Sequence, residues 1–120
     1  MTVLRIVANI DAASVGIVRD FYGNLFGLAA VMDHGWIVTM ASHATAAVQI
    51  SIASEGGSGT PVPDLSIEVD DIDASYARAK SLFHEIIYDL TDEPWGVRRF
   101  YIRDPAGKLL NILAHTDLSP

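Results

Sequence analysis

Apolar and polar residues alternate through VLRIVANI, residues 3–10, where Leu4, Ile6 and Ala8 fall between Arg5, Val7 and Asn9. A period of two in a stretch rich in β-branched residues predicts a strand. Asp11 bounds it and is a residue type that caps helix N-termini. The period then changes: Val18, Phe21, Tyr22 and Leu25 recur at spacings of three, one and three. That stripe predicts an amphipathic helix, which Gly27 ends. Three short β-rich runs follow, over 28–32, 36–40 and 47–52, with turns at Asp33-His34-Gly35 and Ser42-His43.

The stretch SEGGSGTPVP, residues 54–63, reads as a flexible linker stiffened at its end by two prolines. Beyond it the order restarts. LSIEV (65–69) predicts a strand, and Asp70 or Asp71 caps a second helix whose Ile72, Tyr76, Ala79 and Phe83 share one side. Residues 86–90, 97–103 and 108–114 supply three more strands, the last two joined by Asp104-Pro105-Ala106-Gly107, a sequence suited to a type I turn. The order βαβββ therefore occurs twice, as a module of about 1–53, a linker over 54–63 and a module of about 64–120. This predicts one α+β domain of paired βαβββ modules whose sheets form a curved, half-open barrel with a concave face. A ferredoxin-like arrangement competes, but three strands after each helix is one too many for it.

Composition narrows the function. The chain has 120 residues, half of them hydrophobic, and a mean hydropathy of +0.28, a balance that excludes disorder. Its uninterrupted apolar runs are short, whereas a bilayer span needs about 20 residues. The opening MTVLRIVANI has no basic segment followed by a long apolar one, so no signal peptide is expected. The absence of cysteine excludes disulfides and thiolate metal sites and predicts the cytoplasm. Eight basic against fifteen acidic residues give a net charge of −7. Nucleic acid and anionic membrane are thereby disfavoured, and a neutral or cationic partner is favoured.

Three segments carry a recognisable pattern: VANI…DFYGNLFGL (7–28), LSIEVDDIDASYARA (65–79) and EPWGVRRFYIRDPAGKLLNIL (93–113). Within them stand FY-x-x-x-x-G-L (Phe21, Tyr22, Gly27, Leu28) and WG-x-R-x-F-x-x-x-DP-x-G, specific in combination. In these segments the chain resembles the vicinal oxygen chelate superfamily, which includes glyoxalase I, bleomycin and fosfomycin resistance proteins and extradiol dioxygenases. That fold hosts isomerases, transferases, oxygenases and non-catalytic binders, so the resemblance implies the architecture and leaves the activity open.

The resemblance also implies where metal ligands would stand. The first position, typically His or Gln, falls on Arg5, or on Val7 in an ungapped count. The second, typically His, falls on Asp64; the last, typically Glu, on Asn111; an optional fourth on Gln49. One carboxylate, two amides and a guanidinium make a poor site for either a hard ion or zinc. No metal or other cofactor is therefore expected, and Arg5 is expected to stand in the place of the metal charge and pair with Asp64.

Alternation along the strands then assigns neighbours to the same face. Asn111 brings Leu109 and Leu113; across the turn, Arg98, Phe100 and Ile102 are expected beside them. Asp64 brings Ser66 and Glu68, and Arg5 brings Val7 and Asn9. The expected ligand-binding set is thus Arg5, Asn9, Gln49, Asp64, Ser66, Glu68, Trp95, Arg98, Phe100 and Asn111. Trp95, and with it Trp36, would stack a flat or cationic aromatic ligand if not simply packed. In the bland alternative, Arg98 bridges to Glu68 or Asp64 on a covered sheet face. His34, His43, His84 and His115 show no ligand spacing and read as surface or capping residues; His34 and His115 remain the candidates for a displaced metal site. The resulting expectation is a metal-free homodimer that binds a small organic molecule, similar in mode to bleomycin resistance proteins. Its rivals are a lyase, isomerase or dioxygenase of the same superfamily, in which Glu68 serves as a base with Arg98 or Arg5 polarising the substrate, and a small regulatory module.

Overall fold

The βαβββ order is present twice in the structure, a computed structural model that describes residues 1–42 and 49–116. Its contacts divide the chain into two compact units, Val7–Val62 and Met1–Ile6 with Pro63–Pro120. The division falls inside the first strand, β1 (Val3–Asp11).

In the Val7–Val62 unit, β1 is followed by α1 (Val15–Phe26), β2 (Ala29–Asp33), β3 (Ile37–Ala41) and β4 (Gln49–Ala53). The strands are ordered β2-β3-β4-β1. β2, β3 and β4 form an antiparallel meander, and β1 runs parallel to β4 with Ala8 opposite Ile50 and Asp11 opposite Ala53. A parallel pair needs a crossover, and α1 lies within it. Val38, Met40 and Ile52 form the core, closed by Ile10, Val15, Val18, Tyr22 and Ile50. The buried stripe of α1 is therefore Val15, Val18 and Tyr22. Phe21 and Leu25, expected in it, are 55% and 62% exposed, because Phe21 sits about 100° around the helix from Tyr22. The N-cap is Ser14 and not Asp11, which still belongs to β1. Gly27 ends the helix as expected, with a left-handed φ of 69°. The turn at His34 and Gly35 joins β2 to β3, Gly35 N–H donating to Asp33 Oδ1 at 2.8 Å. His43 and the first two residues of the 47–52 strand lie outside the described residues.

The expected linker is a hydrogen-bonded turn. Gly56 N–H donates to the Thr60 carbonyl at 2.8 Å, and Thr60 N–H to that of Gly57 at 3.0 Å. The Thr60 hydroxyl, buried, donates to the same Gly57 carbonyl at 2.7 Å.

The second unit repeats the plan with β5 (Leu65–Val69), α2 (Ile72–Ser81), β6 (Tyr88–Glu93), β7 (Val97–Arg103) and β8 (Leu109–His115). β5 is parallel to β8, and β8, β7 and β6 form the antiparallel meander, so the order β6-β7-β8-β5 mirrors that of the first unit. Four strands per helix set aside the ferredoxin-like topology. Val69, Ile72, Ala79, Phe100 and Ala114 form the core beneath α2. Of the two candidate caps, Asp71 is the N-cap, accepting from Ala74 N–H at 3.0 Å. Phe83 is not on the helix stripe: α2 ends at Ser81, and Phe83 lies beyond it with a φ of 63°, 95% exposed. The Asp104–Gly107 turn closes as expected, with Gly107 N–H donating to the Asp104 carbonyl at 2.9 Å. Among the described residues no helix is long and apolar enough to cross a membrane.

Candidate functional site

Ser66, Glu68, Arg99, Asn111 and His115 of the second unit share the sheet face turned away from α2. Ile112 and Ala114 pack toward α2, so Leu109, Asn111, Leu113 and His115 of β8 project from the opposite face. The register sets Ser66 opposite Asn111 and Glu68 opposite Leu113 on β5. On β7 it sets Tyr101 opposite Asn111 and Arg99 opposite Leu113. The expected Arg98 and Phe100 are one residue out of step. Arg98 reaches Asp73 of α2 and Asp92, each at 3.1 Å, and not Glu68 or Asp64. Phe100 is fully buried in the α2 core, edge-on to Tyr76 with centroids 5.2 Å apart. Both belong to the helix-covered face, as does Ile102.

Glu68 organises one end of this face. Its Oε1 accepts from Arg5 Nε at 2.6 Å, and its Oε2 lies 2.9 Å from His115 Nδ1. Arg5 therefore pairs with Glu68 and not with Asp64. Burial raises the Glu68 pKa, but hydrogen bonds from His115 and Arg5 and their charges outweigh it and hold the carboxyl below its ordinary value. With Nδ1 donating to this carboxylate, a neutral His115 ring keeps its lone pair on Nε2. Asp64 instead fastens the start of β5 to β8, its Oδ2 accepting from Leu109 N–H at 2.8 Å.

Asn111 lies further along β8. Its Nδ2 donates to Ser66 Oγ at 3.1 Å, while Oδ1 is buried and has no hydrogen-bond partner. Turning the amide over leaves the same place in the structure unfilled, since Ser66 serves only one of the two positions. Buried polar atoms are rarely left so.

A second cluster on β6 and β7 had no counterpart in the sequence reading. Arg99 meets Glu93 through Nε at 3.0 Å and Nη2 at 2.8 Å, both side chains nearly inaccessible. Arg99 Nη1 donates to Tyr101 Oη at 3.0 Å, and Tyr88 Oη to Glu93 Oε1 at 3.1 Å. The guanidinium carbon lies 5.0–5.2 Å from the ring centroids of Tyr88, Trp95 and Tyr101. One ring face of Trp95 thus stacks on an internal cation. In the other unit, Asn9 opposes Ser51, and Gln49 opposes Ala41. Ile50 and Ile52 face α1, so Asn9, Ser51 and Gln49 share the face away from that helix. Trp36 stands beside His34, with centroids 6.4 Å apart.

Residues 13–112 match the family described as the Glyoxalase/Bleomycin resistance protein/Dioxygenase superfamily. The chain belongs to this superfamily. Solved structures share the fold. One titled as NAD-dependent benzaldehyde dehydrogenase from Legionella pneumophila superposes with a TM-score of 0.75 at 15% identity, covering 92% of this chain and 99% of that one. A glyoxalase/bleomycin resistance protein/dioxygenase superfamily member from Vibrio splendidus gives 0.69 at 18%, covering 94% and 99%. A Streptomyces coelicolor methylmalonyl-CoA epimerase variant, in complex with 2-nitronate-propionyl-CoA, gives 0.73 at 16%, covering 99% and 100%. No curated protein matches the chain in sequence.

Superfamily membership raises the question of a metal, and the donors present do not fit one. Arg5, expected at the first ligand position, carries a positive charge, and the Asp64 carboxylate is engaged by the Leu109 amide. Asn111 and Gln49 offer neutral amides where a divalent ion needs charge. Glu68, the carboxylate paired with Arg5, is held at both oxygens. Among the described residues no three His, Asp or Glu side chains group as a metal site.

Proposed function

We propose that this superfamily member binds a small organic molecule, without a metal ion, on the polar sheet face of its second unit. The unpartnered Asn111 Oδ1 carries the reading: it is a buried acceptor that a ligand N–H or O–H would satisfy. Ser66 holds the other end of the amide, and the Arg5–Glu68–His115 cluster offers ionic and hydrogen-bonding contacts further along the same unit. The net charge of −7 favours a neutral or cationic ligand, and sequestration of an antibiotic such as bleomycin is a use that fits it. A cytoplasmic homodimer is part of the reading, supported by the cysteine-free sequence and the superfamily.

Metal analysis of untagged, dialysed protein tests the first half. Stoichiometric zinc, nickel, manganese or iron would overturn it. Thermal-shift titration with bleomycin tests the second: at 100 times Kd, binding adds about 2.7 kcal/mol, a shift that Asn111→Leu abolishes. No stabilisation by bleomycin would remove the sequestration reading.

The His115–Glu68 pair favours a second reading, acid–base isomerisation of a carbon acid. His115 Nε2 would take the proton α to a carbonyl, the C–H electron pair forming the enolate C=C bond as the carbonyl π pair moves onto oxygen, and return it to either face of the enolate. Methylmalonyl-CoA incubated in D2O would then gain deuterium at that carbon with wild type and not with His115→Gln. No exchange with wild type excludes this chemistry for that substrate.

A further inference from the structure

The C-terminal end of α2 is closed by a Schellman-type cap. Phe83 N–H donates to the Lys80 carbonyl at 3.0 Å, and His84 N–H reaches back to that of Ala79 at 3.1 Å. The left-handed residue of such a cap is ordinarily glycine. Here it is Phe83, with φ 63° and a ring 95% exposed. A bulky residue at positive φ is strained, and its ring adds apolar surface exposed to water. Both costs fall on one side chain, and neither serves the fold of this unit.

Beside it lies an apolar cleft of about 250 Å³, lined by Met1, Val3, Ile67, Ala79, Leu82 and Ile112, with Arg78 among its lining residues. Met1, Val3 and Leu82 are themselves exposed, so knob and cleft belong to one apolar patch. A dry cavity of about 150 Å³ accommodates benzene; this cleft is large enough for a phenyl ring. Charge agrees with shape. Arg78 of the cleft and Glu85, two residues past the knob, make no side-chain ion pair or hydrogen bond among the described residues.

We propose that this patch is a self-complementary interface between two copies of the chain, in which Phe83 of each enters the α2 cleft of the other and Glu85 meets Arg78. A surface carrying both a knob and its hole closes as an isologous pair about a two-fold axis. Each ring buries about 150–250 Å² of surface. The inference rests on the homodimer reading above and names its anchor.

Sedimentation equilibrium of the full chain tests it. Wild type should be dimeric at micromolar concentration, and Phe83→Gly should weaken association at least about 100-fold, since two ring burials are lost. The same variant should melt higher as a monomer, because glycine relieves the left-handed backbone; this separates lost association from lost folding. Arg78→Glu and Glu85→Arg should each weaken the dimer, and the double reversal should restore it. A dimer unaffected by Phe83→Gly, or one not restored by the double reversal, would overturn this interface while leaving the homodimer reading standing. A wild-type monomer at about 10⁻⁴ M would overturn both and assign the cleft to another occupant.

Discussion

Replacing Glu93 by alanine isolates the largest electrostatic commitment in the second unit. The Arg99 and Glu93 side chains are 3% and 2% exposed, so the variant takes the carboxylate away from a guanidinium held out of water beside the Tyr101 hydroxyl and three aromatic rings. Removing one partner of a buried pair costs about 3–5 kcal/mol, a large share of the roughly 5–15 kcal/mol that holds a domain folded. For 120 residues the unfolding entropy is about 0.25 kcal/mol/K, so the melting temperature should fall by about 12–20 °C. Urea and thermal unfolding followed by circular dichroism measure this directly, with an unchanged m-value showing that the same surface is exposed. The double variant Glu93→Leu with Arg99→Met removes both charges and should return to within about 1 kcal/mol of wild type. A single variant that costs less than about 1 kcal/mol would refute the argument. So would a double variant as unstable as the single one, because packing and not an uncompensated charge would then explain the loss.

Three other outcomes follow from the same contacts. Glu68 has a folded pKa below the ordinary 4.5, so its contribution is present above that pH and lost as pH falls through the folded value. Urea midpoints at pH 7 and pH 3 should differ less for Glu68→Gln than for wild type. Asp71→Ala removes a cap hydrogen bond at 3.0 Å and should cost about 1 kcal/mol. Ser14→Ala, whose side chain makes no cap bond, should cost less in the same denaturation assay. Asn111→Leu loses the Ser66 contact but also an unpaired buried acceptor, so calorimetry should find stability unchanged or raised by up to about 2 kcal/mol; a larger loss would mean that Oδ1 is partnered.

The repeated module was readable because each signal was local. Alternation marked residues 3–10 and 65–69, Gly27 and Asp71 supplied helix ends, and the Asp104–Gly107 turn joined two obvious strands. What escaped depended on register. In 97–103 the even positions Arg98, Phe100 and Ile102 and the odd positions Arg99, Tyr101 and Arg103 both mix basic with apolar residues, so alternation identifies a strand without saying which side faces α2. Pairing Asn111 with Tyr101 decides it. Arg5 and Glu68 are 63 positions apart, and no local pattern links them. His115 looked like a tail because only β8 pairing opposite Val97 extends the strand that far. Similarly, Gly56 and Thr60 resemble linker residues until their mutual hydrogen bonds are seen.

The division inside β1 sets an order of events during synthesis. Met1–Ile6 is made before Val7–Val62 but belongs with residues that follow Val62, whereas Val7–Val62 is an uninterrupted stretch with a core of its own. Arg5 must wait for the 63 further residues that bring Glu68, about 3–13 s at ordinary elongation rates. Residues 1–6 are therefore placed only after the whole Val7–Val62 stretch has been made. Until then an apolar, strand-forming segment stays open to chaperones or to misplaced pairing, and its capture has to await β5.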